Sequence, residues 1–339
     1  MTALSQRDGL ESMPFKFEAI GSSDVGCVRE ENEDAFWIGY ARNSRLRYDG
    51  GLLAIVADGV GGHAAGKIAS QKSVEVIASE VVASPPEREI PQILQDAIET
   101  AHLRLNEQMQ NDRSLRGMGT TCTAAWLSGR EAYVAQIGDS RAYLVRDGHI
   151  IQITEDQTVV QSLVNEGVIS ETEAATHPER HLLSQALGVS EQLNIDIRHV
   201  PLQMHDRMVL CSDGLHGLVA DAEIATAVTT AETAEKSAQQ LIEMAKARGG
   251  NDNITVVIAS IVPQAPSSST AKTVISQAVV PDNTVRPERP PKKTNRIYLW
   301  LLVLAAAGLL YYLLVLAPNL SNSDSPGVPQ SPIVTVPQE

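Results

Sequence analysis

Four aspartates in this sequence stand at the ends of apolar runs that have the composition of β-strands. Asp58 ends the run LLAIVAD, Asp139 ends AYVAQIGD, and Asp213 ends RMVLCSD. Asp252 stands just before the apolar run ITVVIASI. In an antiparallel sheet the start of one strand lies beside the ends of its neighbours. We therefore expect these four carboxylates to gather at one edge of a sheet core.

Such a cluster of carboxylates is stable only when protons or cations compensate the repulsion between its charges. Glu33 and Asp34, which precede the strand-like start AFWI, add to the acidic set. Ligands that are all oxygen select hard cations such as Mg²⁺ or Mn²⁺, and the backbone carbonyl of Gly59 can add one more oxygen. Two ions roughly 4 Å apart would hold a bridging hydroxide for in-line attack on phosphorus.

Periodicity predicts the elements that must position these residues. Two-residue turn signals in SGREAYVAQ and VRDGHI predict antiparallel hairpins. Residues 170–188 show no clean period, which predicts a mobile excursion close to a site. Apolar runs predict strands at 52–57, 132–137, 207–211 and 254–261, and helical patterns cover about 66–83, 91–110, 157–167 and 232–248.

Composition predicts a large acidic globule with reduced cysteines. The chain has 339 residues and a net charge of −14, and residues 1–262 hold 21 basic and 37 acidic side chains, a net charge of −16. So acidic a globule repels phosphate backbones, and no nucleic-acid partner is expected. Cys27, Cys122 and Cys211 are widely spaced without a Cys-x-x-Cys pair, so neither a zinc site nor a disulfide framework is predicted.

The C-terminal part of the chain predicts a membrane anchor. Residues 297–316, IYLWLLVLAAAGLLYYLLVL, carry no charge and as a helix would span about 30 Å, the thickness of a bilayer core. Basic residues precede this span and none follows it, so the positive-inside rule places the globule in the cytoplasm of a single-pass cell-membrane protein. Residues 1–14 would be a disordered N-terminus, 263–296 a flexible, basic, Pro/Ser/Thr-rich linker, and 317–339 a short extracytoplasmic tail.

Six motifs of the sequence occur in the order found in the metal-dependent protein phosphatases of the 2C family. They are SDVGCVREENEDAF, VADGVGGHAAG, GMGTT, QIGDSRAYL, LCSDGLHG and NDNITVVI. Over residues 15–262 the chain resembles the bacterial serine/threonine phosphatase branch of that family. The resemblance implies an α+β fold, a four-layer α/β/β/α sandwich of two antiparallel sheets flanked by helices, to which the C-terminal transmembrane helix would be added. Residues 157–188 fall where relatives carry a flap over the substrate groove.

The resemblance also implies a catalytic set of metal ligands and a phosphate clamp. Asp139, with Asp213, matches a weaker third metal site, and Arg29 matches the arginine that grips the substrate phosphate, a task suited to a guanidinium. The ligands of the binuclear centre would be Asp34, Asp58, the Gly59 carbonyl, Asp213 and Asp252.

The resemblance further implies that three other residues of the motifs support these ligands. Glu33, His63 and Asn253 match places beside the ligands, where side chains orient waters or ligands and do not react. Val60 stands where some relatives have a histidine proposed to protonate the leaving oxygen. The proton donor to the leaving group therefore stays open, with a metal-bound water as one alternative.

The function implied is hydrolysis of phosphoserine and phosphothreonine on proteins by a metal-bridged hydroxide, opposing a serine/threonine protein kinase. Carboxylate chemistry alone also allows a metal-dependent nuclease, which the acidic globule disfavours, or a small-molecule phosphatase. A membrane-anchored pseudo-enzyme that only binds phosphoproteins would need a broken metal set, and the sequence shows none. A cysteine-based phosphatase is excluded because no cysteine is followed by an arginine six residues later.

Overall fold

The protein is described by a computed structural model over residues 15–41, 51–61, 64–85 and 87–263. No helix within these ranges is long and apolar enough to cross a membrane. The transmembrane helix predicted at 297–316 lies outside them, so this part of the expected fold has no support from the structure. The predicted N-terminal segment 1–14 and tail 317–339 lie outside the described residues as well, as does the linker beyond its first residue.

The described chain contains twelve strands and seven α-helices. In chain order they are β1 (Phe15–Asp24), β2 (Ala35–Ala41), β3 (Gly51–Ala57), β4 (Gly59–Val60), α1 (Ala64–Ala83), α2 (Ile90–Asn111), β5 (Gly119–Thr120), β6 (Cys122–Ser128), β7 (Glu131–Ile137), β8 (Arg141–Arg146), β9 (His149–Gln152), α3 (Val159–Asn165), α4 (Glu171–Thr176), β10 (Asp196–Pro201), β11 (Arg207–Cys211), α5 (Asp213–His216), α6 (Asp221–Thr230), α7 (Ala234–Ala247) and β12 (Ile254–Pro263).

Ten of the strands form two five-stranded antiparallel sheets. Sheet A has the order β1-β12-β11-β8-β9 and sheet B the order β10-β7-β6-β3-β2, while β4 and β5 form a short separate pair. Both predicted hairpins are confirmed, since β6 pairs with β7 and β8 with β9. The turn between β8 and β9 consists of Asp147 and Gly148, whose φ angles of 51° and 78° are the left-handed values that a two-residue hairpin needs.

Three apolar layers hold the sheets and helices together. Leu52, Ala54 and Val56 of β3 pack between the two sheets, and Leu53 and Ile55 of the same strand face α1 and α2 on the outside of sheet B. A third layer joins the outer face of sheet A to α6 and α7. Because β3 is buried on both faces, its sequence is a continuous apolar run and does not alternate. The predicted arrangement of two antiparallel sheets flanked by helices is confirmed.

The segment at 157–188 differs from its sequence-based description. The helix predicted at 157–167 is shorter, since α3 covers Val159–Asn165 only. The stretch without clean periodicity contains a helix, α4, whose first turn is closed by a capping box between Ser170 and Glu173. The pattern Ser-x-x-Glu is a helix-start signal in the sequence, so α4 could have been predicted from it.

Candidate active site

The four aspartates at strand ends lie around one pocket at the edge of both sheets. Asp58 follows β3 and Asp139 follows β7 in sheet B, whereas Asp213 follows β11 and Asp252 precedes β12 in sheet A. The pocket has a volume of about 270 Å³. Its lining also includes Arg29, Glu33, Gly59, Val60, Thr121, His181 and Asn253. The strand order of the two sheets therefore produces the cluster that the sequence predicted.

Asp34 is held next to this pocket by polar contacts from two loops. Its side chain is buried, and its Oδ2 atom accepts a hydrogen bond from the Ser212 hydroxyl at 2.7 Å. Its backbone N–H donates to Asn32 Oδ1 at 3.1 Å. The second carboxylate oxygen, Oδ1, is buried and has no hydrogen-bond partner among the described residues. A buried oxygen without a donor costs free energy, which a bound cation would recover.

Threonines of the GMGTT motif fix the backbone at Asp58. Asp58 N–H donates to Thr121 Oγ1, and Thr121 N–H donates to the Asp58 carbonyl, both at 2.9 Å. The Thr120 hydroxyl donates to the same carbonyl at 2.8 Å. At the next position a Cβ atom would lie 2.3 Å from the carbonyl oxygen of Gly66, so only glycine fits at Gly59. The main chain that carries the predicted carbonyl ligand is thus held in one conformation.

Two histidines contact the acidic residues on the other side of the pocket. His181, between α4 and β10, places Nδ1 at 3.5 Å from Asp213 Oδ2. His216 Nε2 lies 2.9 Å from the Asp139 carbonyl oxygen and is the donor there, because a carbonyl only accepts. Burial lowers the pKa of His216, which favours the neutral ring in this role. Asp213 Oδ1 is the second buried carboxylate oxygen for which the described residues supply no partner.

Arg29, the predicted phosphate clamp, forms an ion pair with a predicted metal ligand. Its Nη2 atom donates to Asp252 Oδ2 at 2.6 Å, and the two side chains are 48% and 31% exposed. The other oxygen of Asp252, Oδ1, accepts the backbone N–H of Asn253 at 2.8 Å. Both oxygens of this carboxylate therefore have donors in the structure.

The Asn253 side chain ties the loop that carries Arg29 to the start of β12. Its Nδ2 atom donates to the carbonyls of Val25 at 3.1 Å and Glu31 at 3.0 Å. Its Oδ1 atom accepts the backbone N–H of Glu33 at 2.8 Å. These contacts agree with a positioning role for Asn253, since they set the path of the loop on both sides of Arg29.

The pKa values of the carboxyl groups show how unfavourable their charges are together. Burial raises the pKa of Asp34 to about 7, and burial with repulsion from Asp213 raises that of Asp139 to about 8. Burial and repulsion from Asp34 and Asp213 hold the pKa of Asp58 well above its usual value. Asp213 differs: burial acts against its ionisation, but the neighbouring His181 and His216 bring its pKa below the usual value.

This set of donors fits hard divalent cations. It combines buried carboxylates whose charges need compensation, two buried oxygens without donors, and a fixed backbone carbonyl. In the described ranges no three carboxylate, imidazole or thiol groups converge closely enough to enclose an ion alone. Water would complete the coordination of Mg²⁺ or Mn²⁺ bound here, as it commonly does for these ions.

Sequence reasoning missed three residues that contact candidate ligands. Ser212 and Thr121 lie inside LCSDGLHG and GMGTT, so their neighbourhood in the chain was the available signal. His181 lies in the segment 157–188 that was predicted as a flap over the substrate groove, but only the fold shows its contact with Asp213. The predicted supporting residue His63 lies outside the described residues, and its role stays a prediction.

The chain is similar to known bacterial phosphatases. The family profile described as protein phosphatase 2C matches residues 31–257. Serine/threonine protein phosphatase PstP of Mycobacterium tuberculosis is 41% identical over 241 residues, which are 71% of this chain and 44% of PstP, so the match spans less than half of that relative. Serine/threonine phosphatase stp of Listeria innocua is 36% identical over 239 residues, which are 70% of this chain and 92% of stp.

Solved structures show the same fold. The crystal structure of PstP from M. tuberculosis superposes with a TM-score of 0.66 at 38% identity and covers 73% of this chain and 99% of that one. The catalytic domain of PstP in complex with two manganese ions superposes with a TM-score of 0.64 at 37% identity, over 73% of this chain and 99% of that one. Because the profile covers more than half of the chain and the Listeria relative is matched along most of its length, this chain belongs to the protein phosphatase 2C family.

Proposed function

We propose that this protein is a metal-dependent phosphatase that hydrolyses phosphoserine and phosphothreonine on proteins. The observation that carries the proposal is the pocket itself. It gathers aspartates from both sheets, has two buried carboxylate oxygens without donors beside it, and holds an arginine at its edge. The family membership and the relatives named serine/threonine phosphatase agree with this chemistry.

The chain's own residues would hold two Mn²⁺ or Mg²⁺ ions and orient the substrate. Asp34, Asp58, the Gly59 carbonyl, Asp213 and Asp252 hold the pair, and Asp139 with Asp213 offers a weaker third position. Bound divalent cations supply positive charge for the phosphoryl oxygens and activate water as the nucleophile at neutral pH. The two manganese ions in the PstP complex support the count of two in the main site.

Arg29 binds the phosphate of the substrate. Its side chain is about half exposed at the rim of the pocket, where a phosphorylated side chain can reach it. The guanidinium offers paired donors that match two phosphate oxygens. Asn253 and Thr121 react with nothing in this scheme; they hold the loops that carry Arg29 and Asp58.

The activity is tested with phosphoserine, phosphothreonine and phosphotyrosine peptides, with and without added Mn²⁺. We expect Mn²⁺-dependent release of phosphate from the first two peptides, and loss of that release in Asp58→Asn. Asp96→Asn is the matched control, because this exposed carboxylate of α2 pairs with Arg88 and is not a lining residue of the pocket. A chain that binds Mn²⁺ and phosphopeptide without turnover would instead be a phosphoprotein-binding pseudo-enzyme.

The proposal extends to location and partner. Residues 297–316 anchor the protein in the cell membrane with the phosphatase domain in the cytoplasm, which the uncharged span and its one-sided basic flank support. A serine/threonine protein kinase is the opposing partner, because its products are the substrates. The full chain should fractionate with membranes and resist carbonate extraction, whereas residues 1–262 alone should be soluble and active. Recovery of the full chain in the soluble fraction without detergent would overturn the anchor and leave the activity untouched.

A further inference from the structure

The ion pair between Arg29 and Asp252 places two predicted functions in conflict. Asp252 Oδ2 is occupied by Arg29 Nη2 at 2.6 Å, and Oδ1 accepts the backbone N–H of the next residue, Asn253. A cation that takes Asp252 as a ligand has to displace the guanidinium or share its oxygen. The Nη2 donor that Asp252 holds is, in turn, not available to a substrate phosphate.

The loop that carries Arg29 is fastened close to both of its ends. Asn253 Nδ2 holds the carbonyls of Val25 and Glu31, and the backbone N–H of Cys27 donates to the Gly250 carbonyl at 2.8 Å. A movement of the backbone would break these hydrogen bonds. The Arg29 side chain is 48% exposed and can rotate without breaking them. Arg29 can therefore leave Asp252 and turn to a phosphate by changing only its side-chain rotamer.

The charges around the pocket explain why Arg29 rests on a carboxylate. Asp58, Asp139, Asp213 and Asp252 line the pocket. The cationic or ionisable basic side chains among its described lining residues are Arg29 and His181, and each of them contacts one of these aspartates. In the metal-free protein Arg29 thus partly takes the place of a missing cation.

We infer that Arg29 is a metal-released phosphate clamp: it neutralises Asp252 while the ion site is empty, and a divalent cation at Asp252 frees it for phosphate. The inference rests on the proposed function and adds a binding order to it. The cation has to bind before the phosphoprotein can be gripped. In the metal-free protein Arg29, the arginine among the described lining residues of the pocket, is accordingly held by Asp252.

The first test is calorimetric titration of Mn²⁺ into the metal-free full chain in detergent. Arg29→Ala removes the competitor for Asp252, so the affinity for Mn²⁺ should rise by about 2- to 5-fold, the range expected for a half-exposed ion pair. Arg198→Ala is the matched control, because Arg198 pairs with Asp196 at 2.7 Å with nearly the same exposure, 51% and 30%, and neither residue lines this pocket. The control should bind Mn²⁺ as the wild type does.

The second test measures binding of inorganic phosphate to the metal-free chain. Asp252→Asn turns the ion pair into a weaker neutral contact and frees Arg29, so phosphate should bind about 2- to 10-fold more tightly than to the wild type. Asp213→Asn removes a carboxylate from the same pocket, one whose ion-pair partner is His181 and not Arg29, and should give a smaller gain. Adding Arg29→Ala to Asp252→Asn should abolish the extra affinity.

Two results would overturn the inference while leaving the phosphatase function standing. One is an Arg29→Ala variant that binds Mn²⁺ no more tightly than the wild type. The other is equal phosphate affinity in Asp252→Asn and Asp213→Asn, which would reduce the effect to net charge. A wild-type chain that binds no Mn²⁺ at all would instead overturn the proposed function, and the inference with it.

Discussion

Replacing Asn253 by alanine should destabilise the protein and loosen its catalytic loop at the same time. The side chain is buried and makes three hydrogen bonds to the backbone, two through Nδ2 to Val25 and Glu31 and one through Oδ1 to Glu33. Alanine can make none of these three hydrogen bonds, so the carbonyls of Val25 and Glu31 and the N–H of Glu33 lose the Asn253 side chain as a partner. The loop between β1 and β2 would then keep only its contacts from Cys27 to Gly250 and from Arg29 to Asp252 near the start of β12.

The expected loss follows from the number of hydrogen bonds. A hydrogen bond contributes about 0.5–1.5 kcal/mol net, so three of them give a fall of about 2–4 kcal/mol in the free energy of unfolding. Domains of this kind are stable by only about 5–15 kcal/mol, so this is a large fraction of the total. Because the same loop carries Arg29 and Asp34, the affinity for Mn²⁺ should fall too, and KM for phosphopeptides should rise.

The assay is urea unfolding followed by circular dichroism, combined with Mn²⁺ titration of the same samples. Asn165→Ala is the control, since Asn165 Nδ2 makes an exposed hydrogen bond to Glu155 at 2.6 Å far along the chain from this loop. Loss of this hydrogen bond should lower the free energy of unfolding by less than about 0.5 kcal/mol. If Asn253→Ala unfolded at the same urea concentration as Asn165→Ala and kept its Mn²⁺ affinity, the reasoning that makes Asn253 the fastener of this loop would be refuted.

Three further perturbations have defined outcomes. Asp58→Asn should raise the free energy of unfolding of the metal-free protein while Mn²⁺ binding is lost, because it removes a buried carboxyl with a raised pKa; a less stable variant in chelator would contradict this. Gly59→Ala should lower the free energy of unfolding by about 1–3 kcal/mol or more, because its Cβ would lie 2.3 Å from the Gly66 carbonyl oxygen. An unchanged melting temperature would show that the contact is not tight. His102 Nδ1 accepts the Gly188 N–H at 3.1 Å, and burial lowers the pKa of His102, so the unfolded chain binds its proton more readily. Stability should therefore decline by under about 1 kcal/mol as pH falls through about 6.5, and His102→Gln should flatten that decline in melts at pH 7.5 and 5.5.

The hairpins and the strands that end on aspartates could be predicted from the sequence because both depend on local order. The turn between β8 and β9 is specified by the two adjacent residues Asp147 and Gly148, and their positive φ angles are those that such turns require. The run 52–57 is apolar at every position, and it lies in a strand that is buried on both faces. Helix α4 was missed although its capping box is local, because the helix has only six residues, none of them buried, and so shows no apolar period.

Residue types alone determined the kind of chemistry, since clustered oxygen ligands with no cysteine or histidine set point to hard cations and phosphate. Contacts between residues distant in the chain could not be determined in this way. The pairing of Arg29 with Asp252, the approach of His181 to Asp213, and the attachment of the Arg29 loop by Asn253 each join segments far apart in sequence. Such contacts depend on which strands become neighbours in the two sheets, and no local pattern encodes that choice. The gathering of the aspartates at one edge could therefore be predicted from the sequence, whereas the ion pair between Arg29 and Asp252 was decided by the tertiary structure.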